Sequence, residues 1–238
     1  MRIALIGYGK MGRMIEEVAL GKGHEIMLRI DAHNQQDLNT ASAKTADVAI
    51  EFTGPTTAFQ NVKQCIDYGL PVVSGSTGWN SQLEDAKTYC LQQSGSFLHA
   101  SNFSIGVNIF FAVNKYLAQL MHHQPDYEVS LKEIHHTQKL DAPSGTAVTL
   151  AEDIVAALAR KKKWVNTLAS GKDELSIISE RIDPAPGTHH VRYSSPIDDI
   201  EIIHTAHNRT GFAAGAIQAA EFIASRTGVF TMNDVLGF

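Results

Sequence analysis

Along the first hundred positions, short apolar runs alternate with segments whose apolar residues recur at helical spacing. The runs at 2–7 (RIALIG), 25–31 (EIMLRID), 47–54 (DVAIEFTG), 71–77 (PVVSGST) and 96–102 (SFLHASN) are rich in Val, Ile, Leu and Phe. Most are bounded by Gly, Pro, Asn or Asp, which is how strands are punctuated. Between them, Met11, Ile15, Val18 and Ala19 share one helical face, as do Phe59, Val62, Cys65 and Ile66, and then Leu83, Ala86, Cys90 and Leu91. Strand and helix alternating in this way predict an α/β region with a doubly wound parallel sheet covered on both faces.

The pattern changes after Asn102. Residues 106–123 read as a long helix, 126–136 as an alternating strand, and 145–160 as a second helix with Val148, Ala151, Ile154, Val155 and Leu158 on one face. Strand-like runs at 174–182, 189–195 and 200–208 follow, separated by Pro, Gly and Asp, which predicts a second, α+β region on a mostly antiparallel or mixed sheet rather than a continued parallel one. Residues 211–228 return to a helix of small residues able to pack closely on another element.

The chain has 238 residues, 44% of them hydrophobic and 19% charged, with a formal net charge of −5. Its length suits two ordinary domains, and the acidic balance argues against nucleic acid as a partner. The cationic cluster Arg160 to Lys163 reads as a solvated helix end. No apolar run reaches the roughly 20 residues that span a bilayer, and the first residues enter a strand directly, so a cytoplasmic location without membrane contact is expected. Cys65 and Cys90 lack metal-type spacing and read as buried reduced thiols.

Gly7, Gly9 and Gly12 form G-x-G-x-x-G directly between the first strand and its helix. A bare glycine turn has the same letters; the strand and helix on either side are what point to a dinucleotide pyrophosphate. Asp31 ends the second strand, about 20 residues on, where a carboxylate accepts hydrogen bonds from an adenosine ribose. That carboxylate repels a 2′-phosphate and favours NADH, while Lys10 inside the turn leaves NADPH open. The turns Gly75 to Gly78 and Ala100 to Phe103 fall at the ends of later strands, where ligands of such sheets bind, although Gly, Ser and Asn also make ordinary turns.

The densest chemistry lies at 133–147, EIHHTQKLDAPSGTA. Period-two alternation puts Val129, Leu131, Glu133 and His135 on one strand face and Ser130, Lys132, Ile134 and His136 on the other, so the two histidines have different roles. His135, His136 and Lys139 are proton-transfer candidates near neutral pH. Ser144, Gly145 and Thr146 open a helix, either as an anion site or as a simple N-cap, and both can hold together. His189, His190, His204 and His207 add imidazoles, but without the spacing of a metal site, and no metal is expected.

This run resembles the signature of the dihydrodipicolinate reductase family, pyridine-nucleotide enzymes of diaminopimelate and lysine biosynthesis. The resemblance extends over the whole chain through GYGKMG, EFTGP, GSTGW, ASNFSIGVN, PGTHHV, AHNRTGFAAGA and GVFTMNDVL. It implies a Rossmann-type domain at 1–105 plus 210–238 and a substrate-binding domain at 106–209 that also builds a homotetramer. It also implies that His135 is the acid/base histidine and Lys139 the proton donor. His136, Ser144, Gly145 and Thr146 would hold the carboxylates of a dicarboxylate substrate. Gly7, Tyr8, Gly9, Lys10, Met11, Gly12, Asp31, Gly75, Ser76, Thr77, Ala100, Ser101, Asn102, Phe103 and Arg209 would hold NADH or NADPH. The implied reaction is hydride transfer to a cyclic conjugated imine with loss of water. A rival two-domain dehydrogenase of a small amino acid or imine would lack the paired histidines joined to Lys139. A non-catalytic NAD(P)-sensing protein would have lost a proton-transfer group.

Overall fold

A computed structural model describes residues 1–238. In chain order its elements are β1 (Arg2–Ile6), α1 (Lys10–Gly21), β2 (Glu25–Ile30), α2 (Thr40–Ala43), β3 (Val48–Glu51), α3 (Ala58–Asp67), β4 (Val72–Ser74), α4 (Leu83–Gln92), β5 (Ser96–His99), α5 (Ile105–Leu120), β6 (Glu128–His135), α6 (Gly145–Ala157), β7 (Lys163–Val165), β8 (Glu174–Arg181), β9 (Gly187–Ser194), β10 (Asp199–Ala206), α7 (Thr210–Ile223), β11 (Gly228–Phe230) and α8 (Met232–Leu236). Two units form, one from residues 1–105 with 210–238 and the other from residues 106–209.

The first unit is a six-stranded parallel sheet in the order β11-β5-β4-β3-β1-β2. Alternation along β1 sends Ile3 and Leu5 into a core with Ile15, Ala19, Ala213, Ala216, Ile217 and Ala220, from α1 and α7. Ala4 and Ile6 join the opposite core with Val62, Cys65, Ile66, Ala86 and Cys90, from α3 and α4. Each fully buried Ile or Leu contributes about 2 kcal/mol of transfer free energy, so the period-two pattern fixes the register of the sheet. Small residues let α7 approach closely: a Cβ on Gly215 would lie 1.8 Å from the Phe103 carbonyl oxygen. Strand order reverses between β1 and β3, and ligands of such sheets sit at the carboxyl ends there.

The second unit is a five-stranded mixed sheet in the order β10-β9-β6-β8-β7, antiparallel from β10 to β6 and parallel from β6 to β7. Along β6, Val129, Leu131, Glu133 and His135 are buried on the face that α5 and α6 help to cover, as the alternation predicts. Phe110, Leu150, Ile154, Leu175, Ile177 and Tyr193 pack in the same core.

Some elements and environments differ from the sequence expectations. β7 and β11 have three residues each and α8 has five, too few for a periodic signal. Leu91 is exposed although Ala86 and Cys90 on the same helix are buried. The 160–163 cluster is not a solvated helix end. Arg160 donates to the carbonyls of Met121, His122 and Tyr127, and buried Lys161 donates to Glu128 and to the carbonyls of Lys172 and Glu174. Carbonyls left unpaired between elements draw in these two cations, while Lys162 and Lys163 stay exposed. Cys65 and Cys90 are unpaired and buried, and burial pushes the Cys90 thiol up to about 11. No helix is long and apolar enough to cross a membrane.

Candidate active site

The turn from β1 to α1 is built around missing side chains. Gly7 has φ +97°, and a Cβ there would meet the Phe52 carbonyl oxygen at 2.1 Å. A Cβ on Gly12 would lie 2.3 Å from the Gly7 carbonyl oxygen, whereas the Cβ position of Gly9 is open. No side chain caps the start of α1, so its N-terminal dipole faces the turn. Beside it is a cavity of about 430 Å³ lined by Gly7, Tyr8, Gly9, Asp31, Phe52, Thr53 and neighbouring residues. Asp31 accepts from the His33 amide at 2.8 Å and keeps an exposed carboxylate in the wall. The Tyr8 hydroxyl instead turns back to Glu16, which also pairs with Arg29. These are the features a dinucleotide needs: room for the pyrophosphate, a helix start, and a ribose acceptor.

The loops after β3, β4 and β5 meet around Phe52. Gly75 has no room for a Cβ, which would lie 2.1 Å from the Phe52 ring, and the Phe52 and Phe103 rings are 5.7 Å apart. Below them Glu51 is wholly buried and accepts from the Thr53 amide at 2.9 Å, the Ser74 hydroxyl at 2.6 Å and the Ser76 hydroxyl at 2.7 Å. The Ser76 side chain thus anchors its own loop, and its carbonyl accepts from Trp79 Nε1 at 2.8 Å. Ala100 joins through its amide to the Ser74 carbonyl, and Asn102 accepts from the Ser104 amide. Lys10 and Ser101 are exposed. In the other unit, Arg209 is exposed in the turn after β10.

The second unit gathers charge. Cross-strand register places Glu133 opposite His189 on β9 and His135 opposite Arg181 on β8. Glu133 is wholly buried; Oε2 stands against His135 Nδ1, while Oε1 accepts from Arg181 Nη2 at 2.9 Å and the Ser144 amide at 3.3 Å. Burial opposes its ionisation, but the contacts with His135, Ser179 and Arg181 outweigh it and hold the carboxyl at about 2. Burial, followed by the nearby charge of His135, pushes His189 down to about 3, so its imidazole is neutral. Its Nε2 is 3.1 Å from the Ser144 hydroxyl, which also accepts from the Ala147 amide as the N-cap of α6. The N-cap reading is therefore correct for Ser144, with Gly145 and Thr146 as the first two residues of the helix.

Lys139 pairs with Asp141 at 2.8 and 2.9 Å. Arg181 donates to the carbonyls of Asp141 at 2.7 Å and Lys139 at 3.4 Å, drawing this loop towards the buried carboxylate. His136 lies apart from that cluster, half-buried and near Asp183, whose carboxyl is lowered by hydrogen bonds from Thr137 and then by His136. Glu133, His135 and His189 bring ligand atoms within 4.8 Å of one another, close enough for a metal. The Arg181 guanidinium takes Oε1 of Glu133, and the Ser144 hydroxyl faces Nε2 of His189. Glu133 and His189 were visible in the sequence but not as partners, and Arg181 carried no local signal at all.

Residues 1–103 match the family model described as dihydrodipicolinate reductase, N-terminus, and residues 106–236 match the one described as dihydrodipicolinate reductase, C-terminus. The chain is 47% identical over 237 residues to the 4-hydroxy-tetrahydrodipicolinate reductase of Christiangramia forsetii, covering 99% of this chain and 98% of that protein. It is 30% identical over 229 residues to the protein of the same name from Neisseria meningitidis serogroup C, covering 93% and 84%. Its fold is similar to that of a dipicolinate-bound dihydrodipicolinate reductase from Paenisporosarcina sp. TG-14, with a TM-score of 0.76, 23% identity and 97% of each chain covered.

Proposed function

The chain belongs to the dihydrodipicolinate reductase family, and on that premise we propose that His135 and Lys139 are its proton-transfer groups. The reaction is the reduction of 4-hydroxy-tetrahydrodipicolinate with a pyridine nucleotide, in the diaminopimelate route to lysine. The observation that carries the residue assignment is the buried Glu133, which gathers His135, the Lys139 loop through Arg181, and the start of α6.

The nucleotide, when bound, supplies the hydride. Gly7 and Gly12 give its pyrophosphate room at the start of α1, where Lys10 and Met11 follow, and Asp31 accepts from a ribose hydroxyl. The loops at Gly75, Ser76 and Thr77 and at Ala100, Ser101, Asn102 and Phe103, together with Arg209, complete this part of the proposal. Hydride addition drives negative charge onto the conjugated imine. An ammonium at Lys139 stabilises that charge and donates the proton that neutralises it. His135 takes a proton from the ring carbon beside the hydroxyl and passes it to that hydroxyl, which departs as water, so that one hydride and one proton are consumed in all. His136, Ser144, Gly145 and Thr146 anchor the substrate carboxylates, with the α6 dipole favouring an anion.

Asp31 favours NADH over NADPH, because its exposed carboxylate in the cavity wall repels a 2′-phosphate. Homotetramer assembly through the second unit is supported by an exposed stripe on α5, Ile109, Val113, Tyr116 and Leu120, and by Ile200 and Ile203 on edge strand β10. A cytoplasmic location fits two unpaired cysteines.

Purified protein is expected to oxidise NADH faster than NADPH, and only while pyruvate and aspartate semialdehyde are condensing in the cuvette. Silence with both cofactors sinks the reading. Lys139→Ala should lower kcat about 100-fold or more without changing nucleotide affinity. An equal loss of affinity would make Lys139 a binding residue.

A further inference from the structure

Glu133 and Arg181 have no step in the chemistry above, although they form a buried ion pair at its centre. Such a pair is not needed for stability, since apolar residues of similar volume often serve as well, whereas one partner without the other is costly. Its geometry suggests another purpose. Oε2 of Glu133 stands against Nδ1 of His135, and a carboxylate there favours a proton on Nδ1 and leaves Nε2 as the exchanging nitrogen. Gly187 keeps that nitrogen accessible, because a Cβ at 187 would lie 3.0 Å from His135 Nε2. Arg181 spans from Glu133 Oε1 to the carbonyls of Lys139 and Asp141, which enclose the segment that carries the lysine.

We propose that Glu133 and Arg181 are a positioning pair that sets the tautomer of His135 and the place of Lys139 together, so that both proton-transfer groups are held by one buried ion pair. This rests on His135 and Lys139 being the proton-transfer groups. The charged and titratable groups around His135 are Glu133 on its own strand, Arg181 on β8, His189 on β9, and Lys139 with Asp141 in the loop; α6 contributes Ser144. Loss of the Glu133 anion therefore removes the one carboxylate directly on the imidazole and leaves the Arg181 guanidinium uncancelled beside it, with Lys139 still paired to Asp141.

The test compares Glu133→Gln, Glu133→Asp, Arg181→Lys, His135→Gln and Lys139→Ala in the full-length protein. The readouts are kcat, substrate KM, nucleotide affinity, melting temperature and the pH profile of kcat, with 15N NMR of the wild-type imidazoles. Glu133→Gln should lower kcat about 10- to 100-fold with nucleotide affinity unchanged, and move the histidine limb of the profile to lower pH by about one unit. Glu133→Asp should restore part of both effects, and Arg181→Lys should lower kcat about tenfold. In the wild type, His135 should carry its neutral-form proton on Nδ1. Full kcat and an unmoved profile in Glu133→Gln, beside inactive His135→Gln and Lys139→Ala, would overturn the proposal. Active His135→Gln and Lys139→Ala would instead overturn the assignment it rests on. Should Glu133→Gln fail to fold, an Nε2-protonated neutral His135 in the wild type would refute it alone.

Discussion

Each unit buries one glutamate completely, and the two are satisfied in opposite ways. Glu51, at the end of β3, is surrounded by neutral donors: the Thr53 amide and the hydroxyls of Thr53, Ser74 and Ser76. Glu133, in β6, is surrounded by a guanidinium, an imidazole and one amide. Neutral donors pin a loop without placing a cation on the carboxylate. Cationic donors cancel the charge and couple it to protonation nearby. The first unit therefore shapes a site from glycines and loop anchors, whereas the second tunes one with charge.

The largest effect expected from breaking this contrast is at Gly7. Gly7→Ala puts a Cβ into the Phe52 carbonyl at a φ of +97°, and nucleotide affinity by titration should fall about 100-fold or more. Unchanged affinity would mean that the turn is not shaped by that glycine. Next is acid stability. His189 has a folded pKa of about 3 against 6.5 for the free side chain, so between those values the unfolded chain binds the extra proton. Its contribution is complete above pH 6.5 and lost as pH falls towards 3, by at most about 1.4 kcal/mol per pH unit. Thermal melts of His189→Gln across that window should show a shallower slope than the wild type, and parallel slopes would refute the buried neutral imidazole.

Glu51→Gln should raise nucleotide KM a few-fold, because a carboxamide cannot accept from every donor, with the pH profile of kcat unmoved. A moved profile would erase the distinction from Glu133. The smallest effect belongs to an exposed pair. Asp47→Asn removes the partner of Arg2, and denaturant melts should register less than about 1 kcal/mol.

The parallel sheet was legible because each strand from β1 to β5 is an apolar run between turn residues, and the existence of a second sheet because β6 alternates over eight residues, whereas its parallel half, β6-β8-β7, left no pattern. β7 and β11 were not, since three residues pair by register with strands already present, which no local pattern announces. In the site, Glu133 and His135 fell on one predicted face, but the role of Glu133 depends on β8 and β9 laying Arg181 and His189 beside it. Sequence distance hides such neighbours. The 160–163 cluster misled for the same reason: its carbonyl partners come from a 3-10 turn and loops remote in sequence.

The chain leaves its first sheet after β5 and returns to it only with α7, β11 and α8. Until α7 arrives, Ile3, Leu5, Val48, Ile50 and Val73 lack one of the two helices that cover them, while residues 106–209 are contiguous and already synthesised. On the ribosome, the later-made unit is thus the first able to finish folding. The earlier one waits with part of an apolar face open, and its vulnerability to aggregation lasts until α7 docks on it.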